Sequence, residues 1–459
     1  MTSYALLSHG SGDDLLAWRH GERISVRRFL GDVRHLAAAL PPGQHMLNAC
    51  SDRYHFTVGL AAALLTQKIS LLPPSHSPEM VRQLQALAPD VFCLSDAAPA
   101  LDLPGFVYQD AFAKNPVDLD LYASCDIPRL PGNQPVADVF TSGSTGVPLP
   151  HRKTWGALVR SARAQAQRLG LRDGRRYSIV STVPPQHMFG FEATVLLPLH
   201  CGAAIHAGHP FYPADIVSAL QAVARPRLLV TTPVHLRVLL SSGIELPALD
   251  LVLSATAPMP LALAQSCESR FAAPLLEIYG STETGQIASR QSAHTMEWEL
   301  FPEVTLTHHD NRVWAGGGHV EQVVPLNDVL EPIDHRRFLL HGRLDDLVNI
   351  AGKRNSLACL NHQLGGIAGV LDGAFFMPDD SRDDVVVRLM AFAVAPGMTA
   401  AALLAALKDR MDAVFLPRPL VLLDALPRNA TGKLPREALL ALAQLHGRLP
   451  ARKGSRHAG

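Results

Sequence analysis

An α/β fold, with buried and mostly parallel strands, is what this sequence predicts. Short apolar runs alternate with longer Ala/Leu/Arg-rich segments through the first three-quarters of the chain. The texture then changes twice, near residue 300 and again after His341-Gly342-Arg343-Leu344-Asp345. These changes predict a small antiparallel β subdomain and, beyond it, a smaller α+β domain. Of 459 residues, 47% are hydrophobic and 18% charged, a balance that supplies a large core and excludes disorder over most of the chain.

Segments 178–182, 227–231, 249–254 and 275–279 are short and aliphatic and predict strands. The stretches 154–169, 214–223, 234–240 and 261–271 between them predict helices. Several of these strands end in Ser, Thr or Gly, and sites in parallel sheets lie at the carboxyl ends of strands. Segments 304–307, 312–315 and 320–324 predict the small β subdomain. Strands at 385–394 and 420–423 with one helix at 399–415 predict the last unit, of roughly a hundred residues. The expected division is therefore 1–344, 345–445 and a basic, disordered tail at 446–459.

Lys plus Arg equal Asp plus Glu at 41 each, so no overall field recruits nucleic acid or an anionic membrane. Cys50, Cys93, Cys125, Cys201, Cys267 and Cys359 form no Cys-x-x-Cys pair, which argues against a disulfide framework or a cysteine zinc site. No secretory leader opens the sequence and no apolar run reaches bilayer length, so the chain reads as cytoplasmic.

Val139-Phe140-Thr141-Ser142-Gly143-Ser144-Thr145-Gly146-Val147-Pro148 runs from an apolar strand into hydroxyls and glycines. Such a loop aims backbone N–H groups at phosphate oxygens, although the composition equally suits a plain surface loop. It is neither a Walker A loop nor a nucleophile elbow. A second run, Tyr279-Gly280-Ser281-Thr282-Glu283-Thr284-Gly285, offers a ring, hydroxyls and a carboxylate. It reads either as a site that pairs a carboxylate with phosphates through Mg²⁺ or as a helix N-cap. Asn327-Asp328 and the run to Arg343 form a third signal, and Asn429-Ala430-Thr431-Gly432-Lys433 a fourth. Lysine is scarce, seven against thirty-four arginines, so Lys433 in a Thr-Gly-Lys loop stands out from surface charge. His200, Cys201, His206 and His209 match no zinc spacing. Gly316-Gly317-Gly318 reads as a turn.

In their joint order these four runs resemble the adenylate-forming superfamily: acyl-CoA and aryl-CoA ligases, nonribosomal-peptide adenylation domains and luciferases. The resemblance spans about residues 23–446. It implies a large N-terminal adenylation domain and a small, mobile C-terminal one, with ATP and Mg²⁺ as cofactors. Thr141, Ser142, Gly143, Ser144, Thr145 and Gly146 would cradle the ATP phosphates. Tyr279 and Gly280 would hold adenine, with Ser254 and Ala255 as the opposite wall. Thr282 would contact the α-phosphate, Glu283 would hold the metal, and Asp328 with Arg343 would grip the ribose. Asp345 would be the hinge, His187 would stand beside the acyl tunnel, and Lys433 would be the catalytic lysine.

The resemblance implies activation of a carboxylic acid as its adenylate, then transfer to a phosphopantetheine thiol. Met188, Phe189, Phe191 and Ala193 make the expected acyl wall apolar, with Glu192 the odd charge, which suits an aryl or medium acyl acid. Pro148 to Trp155 looks like the stand-alone ligases of aryl-polyene and similar pathways, whose acceptor is a carrier protein rather than coenzyme A. Two positions depart from the family. Leu149 replaces the usual lysine after the loop proline, with Lys153 or Arg152 as candidate substitutes, and the segment after Gly352 lacks its acidic residues. These departures leave open a catalytically silent homologue that binds nucleotide or acyl ligand.

Overall fold

The computed structural model describes residues 2–97, 101–108, 124–142, 148–310, 312–343, 347–350, 353–378, 388–428 and 434–446. At its centre is a sheet that has eleven strands among the described residues. Six adjacent ones, Leu275–Ser281, Leu251–Ser254, Arg227–Thr231, Ser178–Ser181, Ala204–His206 and Leu15–Arg19, run parallel. Leu251–Ser254 and Ser178–Ser181 are buried at every position, as strands covered on both faces must be. Antiparallel strands extend the sheet beyond Leu275–Ser281 through Gly285–Arg290, Glu297–Leu300, Arg337–Arg343 and Asp328–Pro332.

A second, six-stranded sheet ends in the antiparallel pair Pro135–Ser142 and Pro148–Thr154. The segment after Pro148, which reads as merely polar, is thus a strand returning from the hydroxyl-rich loop. It delivers the chain to the helix Trp155–Arg168, whose N-cap Thr154 accepts from Ala157 N. Trp155 and the helical residues Leu158, Val159 and Ala162 enter the core. The helix Pro233–Ser241 begins in the same way, with Thr232 as N-cap and proline at its first position.

The β subdomain appears as expected: Val304–His309, Arg312–Gly317 and Val320–Leu326 form an antiparallel sheet. Gly317 turns at φ +78°, and a Cβ there would stand 2.4 Å from the Glu303 carbonyl, so only glycine fits. The sheet is pinned to the helix Trp155–Arg168 where Thr154 and Arg160 both meet the Glu321 carboxylate, at 2.8 and 3.4 Å.

Towards the C-terminus, Asp372–Phe376, Met390–Val394 and Leu420–Leu422 form a separate three-stranded sheet. Two hydrophobic clusters there draw all their buried members from residues 348–443. The expected helix over 399–415 stops at Lys408. Asp412 accepts from Val414 N and pairs with Lys353, which turns the chain into a 3₁₀ turn at Ala413–Phe415. Asp372 binds Arg428 through two contacts of 2.8 Å and lies 3.9 Å from Arg237, on the helix Pro233–Ser241 of the large sheet. The expected boundary at Leu344, the hinge Asp345 and, of the expected tail 446–459, all but His446 lie outside the described residues, and His446 ends the helix Arg436–His446. Among the described residues no helix is long and apolar enough to cross a membrane.

One buried carboxylate ties several carboxyl-end segments together. Glu277, 4% exposed, accepts from Arg290, Ser292 and Met259 N at 2.7–3.2 Å. Glu277→Ala would strand the Arg290 guanidinium in the interior and is expected to cost about 3–5 kcal/mol. The urea midpoint of the large unit checks this, and an unchanged midpoint would remove the pair from the fold's supports.

Candidate active site

Two hairpins meet at the carboxyl end of the large sheet. The first leaves Pro135–Ser142 and returns in Pro148–Thr154, paired so that Thr141 faces Leu149 and Ala137 faces Lys153. Alternation along the returning strand sends Leu149, His151 and Lys153 to one face and Arg152 to the other. Arg152 there grips Asp138 through two bonds of 2.8 and 2.9 Å, so it is committed away from the tip. His151 Nε2 stands 2.9 Å from the Thr141 hydroxyl. Gly143, Ser144, Thr145 and Gly146 lie outside the described residues, and only the backbone of Ser142 is described.

The second tip joins Leu275–Ser281 to Gly285–Arg290. It is a turn between strands, which overturns the helix N-cap alternative. Ser281 and Thr284 close it by exchanging bonds of 3.2 Å, leaving Thr282 and Glu283 at its crest. Gly285 has φ +71°, and a Cβ there would sit 2.7 Å from a Glu192 carboxylate oxygen. Backbone conformation and close approach both demand glycine at this position.

Lys153 links the first hairpin to the second tip. Its ammonium donates to the Glu283 carbonyl at 2.8 Å, while the Glu283 carboxylate lies 3.6 Å from His151 Nε2. Burial lowers the Lys153 pKa, opposed by the carboxylates of Glu192, Glu283 and Glu321. Burial also lowers that of His151, opposed by Glu283. Glu192 does not stand apart as a charge in an apolar wall. It is buried beneath the second tip, accepting from the Ser161 hydroxyl at 2.9 Å and from Gln286 N at 3.4 Å. Desolvation pushes its pKa up to about 7 against the pull of Ser161 and Lys153.

Tyr279 lies on the strand that enters the second tip, next to Gly280. Its hydroxyl donates to Asp328 Oδ2 at 2.7 Å, and its ring packs edgewise on Trp298 and Phe338 at 5.6 and 5.7 Å. Asp328 pairs in register with Arg343, whose side chain is outside the described set. Ser254 and Ala255, both buried, end the neighbouring strand, and Thr256 beyond them adopts φ +80°. A threonine in the left-handed region is strained. His187, half-buried, opens the short helix Met188–Phe191. Lys433 lies outside the described residues. Among the described residues no group of three or more His, Cys, Asp or Glu forms a metal cage, and His209 instead faces the Thr182 carbonyl at 2.9 Å.

Residues 31–313 match the family model described as AMP-binding enzyme. A 4-coumarate–CoA ligase of Rhodobacter capsulatus is 32% identical over 297 residues, 64% of this chain and 73% of its own length. A 4-chlorobenzoate–CoA ligase of an Arthrobacter species is 25% identical over 343 residues, 65% and 64% of the two chains. ATP-bound MatB from Rhodopseudomonas palustris has the same fold, with TM-score 0.79 at 16% identity over 95% of this chain and 97% of that one. So does an o-succinylbenzoate CoA synthetase of Bacillus subtilis solved with its acyl-adenylate, with TM-score 0.73 at 18% identity, covering 93% and 95%.

The buried Glu192 makes stability depend on pH in a definite direction. Unfolded, it ionises near 4.5; folded, near about 7. Between these values the folded state holds a proton that the unfolded chain has lost, so stability falls as pH rises through the window. Glu192→Gln is expected to flatten that fall, as read from urea midpoints at pH 5 and pH 7.

Proposed function

This chain belongs to the AMP-binding enzyme family, and from that premise we propose that it is an AMP-forming acid–thiol ligase. In this reading it joins an aryl or medium acyl carboxylic acid to the α-phosphate of ATP. It then passes the acyl group to a phosphopantetheine thiol, on coenzyme A or a carrier protein. The observation that carries the reading is the contact of Lys153 with the Glu283 turn, with Tyr279 and Asp328 bonded on the strands beside it. The names of the relatives, coumarate and chlorobenzoate CoA ligases, favour an aryl acid.

In the first step a carboxylate oxygen bonds to the α-phosphorus while the bond to the bridging oxygen breaks and pyrophosphate leaves. In the second a thiolate replaces AMP at the acyl carbon, the thiol proton passing to solvent. Two anions must approach in the first step, so positive charge and fixed donors are what the site must supply. In the proposal Thr141 and the tip from Ser142 to Gly146 hold the departing phosphates, and Thr282 contacts the α-phosphate. Tyr279 lies against adenine opposite Ser254 and Ala255, Asp328 and Arg343 hold the ribose, and His187 borders the acyl group. Lys153 holds the Glu283 turn in place.

Glu283 offers one half-exposed carboxylate, which suits a Mg²⁺ that completes its shell with phosphate oxygens and water rather than with a protein cage. When bound, that ion neutralises phosphate charge. Lys433 brings the second positive charge, on a unit of residues 345–445 that we propose turns about Asp345, with 446–459 as a tail. The two self-contained hydrophobic clusters support such a unit. The six free cysteines support a reducing, cytoplasmic setting.

The test is exchange of labelled pyrophosphate into ATP over a panel of aryl, enoyl and fatty acids, followed by product analysis with coenzyme A and carrier protein both offered. Exchange with at least one acid is expected. Silence across the panel would favour the nucleotide- or acyl-binding homologue, a reading motivated by Leu149, 56% exposed where the family has lysine. Lys433→Ala is expected to lower adenylation about a thousandfold or more while leaving ATP affinity nearly intact. An unaltered rate would remove Lys433 from the chemistry.

A further inference from the structure

We propose that this chain carries a second anion site, for a phosphate-bearing ligand of up to nucleotide size, at the opposite end of the large sheet from the two tips. A cavity of about 570 Å³ opens there, within the usual range for small-molecule sites. Its walls come from segments that lead into three neighbouring parallel strands. Asp14 precedes Leu15–Arg19, residues 172–176 precede Ser178–Ser181, and Cys201 and Gly202 precede Ala204–His206. The cavity therefore gathers amino ends, whereas Ser254 and Tyr279 stand at carboxyl ends of the same parallel array. A four-residue strand at about 3.3 Å per residue separates the two ends by roughly 13 Å.

The lining is strongly cationic, with four guanidinium groups against one carboxylate. Arg176 binds that carboxylate, Asp14, at 2.7 Å, and Arg175 is engaged by Asp173 and Tyr177. Arg163 and Arg172 have no carboxylate partner among the described residues. Arg163 instead lies 5.7 Å over the Tyr4 ring. Both are exposed and reach the cavity from different elements, Arg163 from the helix Trp155–Arg168 and Arg172 from the loop after it.

The second observation is His200, which lines the same cavity and is only 6% exposed. Both of its ring nitrogens are buried, and neither has a hydrogen-bond partner. Burial, with Arg163 nearby, pulls its pKa down to about 3, so the ring is neutral and holds one N–H to give. Its ring lies 5.3 Å from that of Trp155. His200 stands at the cavity wall, where an anion seated between the guanidinium forks would change the field on its ring. Guanidinium forks match phosphate oxygens two at a time, and the volume exceeds what a lone small carboxylate would fill. The phosphate could belong to a nucleotide or pyrophosphate of this enzyme's own reaction or to another phosphorylated metabolite.

Inorganic phosphate is the probe, titrated at constant ionic strength against protein labelled in its histidine rings, with the His200 signal assigned by His200→Gln. A saturable shift of that signal is expected. Arg163→Ser/Arg172→Ser, at exposed positions outside the adenylation machinery, should raise the half-saturating phosphate concentration at least about tenfold. The same variant should keep wild-type pyrophosphate exchange. AMP and pyrophosphate form parallel arms. Tighter binding of either supports the enzyme's own ligands as occupants, and affinity equal to that of phosphate supports recognition of the phosphoryl group alone. No saturable shift at His200, or one unchanged in the double variant, would overturn the proposal.

Discussion

A single ammonium group on a backbone carbonyl, Lys153 on Glu283, connects two hairpins contributed by different sheets. The turn that carries Thr282 and Glu283 is short, and turns of that kind drift unless something fixes them. The lysine sits in desolvated surroundings, which lower its pKa, and the carboxylates of Glu192, Glu283 and Glu321 oppose that shift. Its stem runs along the face of Pro148–Thr154 that also presents His151, so the second tip has two supports spaced two residues apart on one strand.

Glu192 extends that support inward. A carboxylate is an expensive group to bury, and its pKa of about 7 reflects the expense. It is held by Ser161 of one helix and by a backbone N–H just beyond the second tip. The close approach it makes to Gly285 leaves no room for a side chain there. A lysine on a backbone carbonyl, a hydroxyl and a missing Cβ thus combine to set one turn, whose crest carries Thr282 and Glu283.

Much of the fold was legible because its strands are short, aliphatic and punctuated by helices with hydroxyl caps. The reading near 178, 227, 251 and 275 needed only composition and alternation. The helix over 399–415 misled, since its composition favours helix throughout and the turn depends on Lys353, some sixty residues away, meeting Asp412. At the site, the motif residues were visible as runs, but their partners were not. Lys153 was visible as a substitute for the loop lysine, but its pairing with His151 on one face shows only when the stretch after Pro148 is a strand, where i and i+2 share a face. The bond from Tyr279 to Asp328, and Glu192 under Gly285, arise from packing between distant segments and leave no local signal.

The Asp372 carboxylate sits between two guanidinium groups, held at 2.8 Å by Arg428 of its own small sheet's neighbourhood and at 3.9 Å by Arg237 of the large unit. The stronger partner travels with it. Should the C-terminal unit swivel as proposed, only the longer contact has to part, and neither the acid nor its companion is orphaned along the way. Such an arrangement guides the resting orientation while adding little to the activation barrier for leaving it, which is what a joint cycling once per turnover requires.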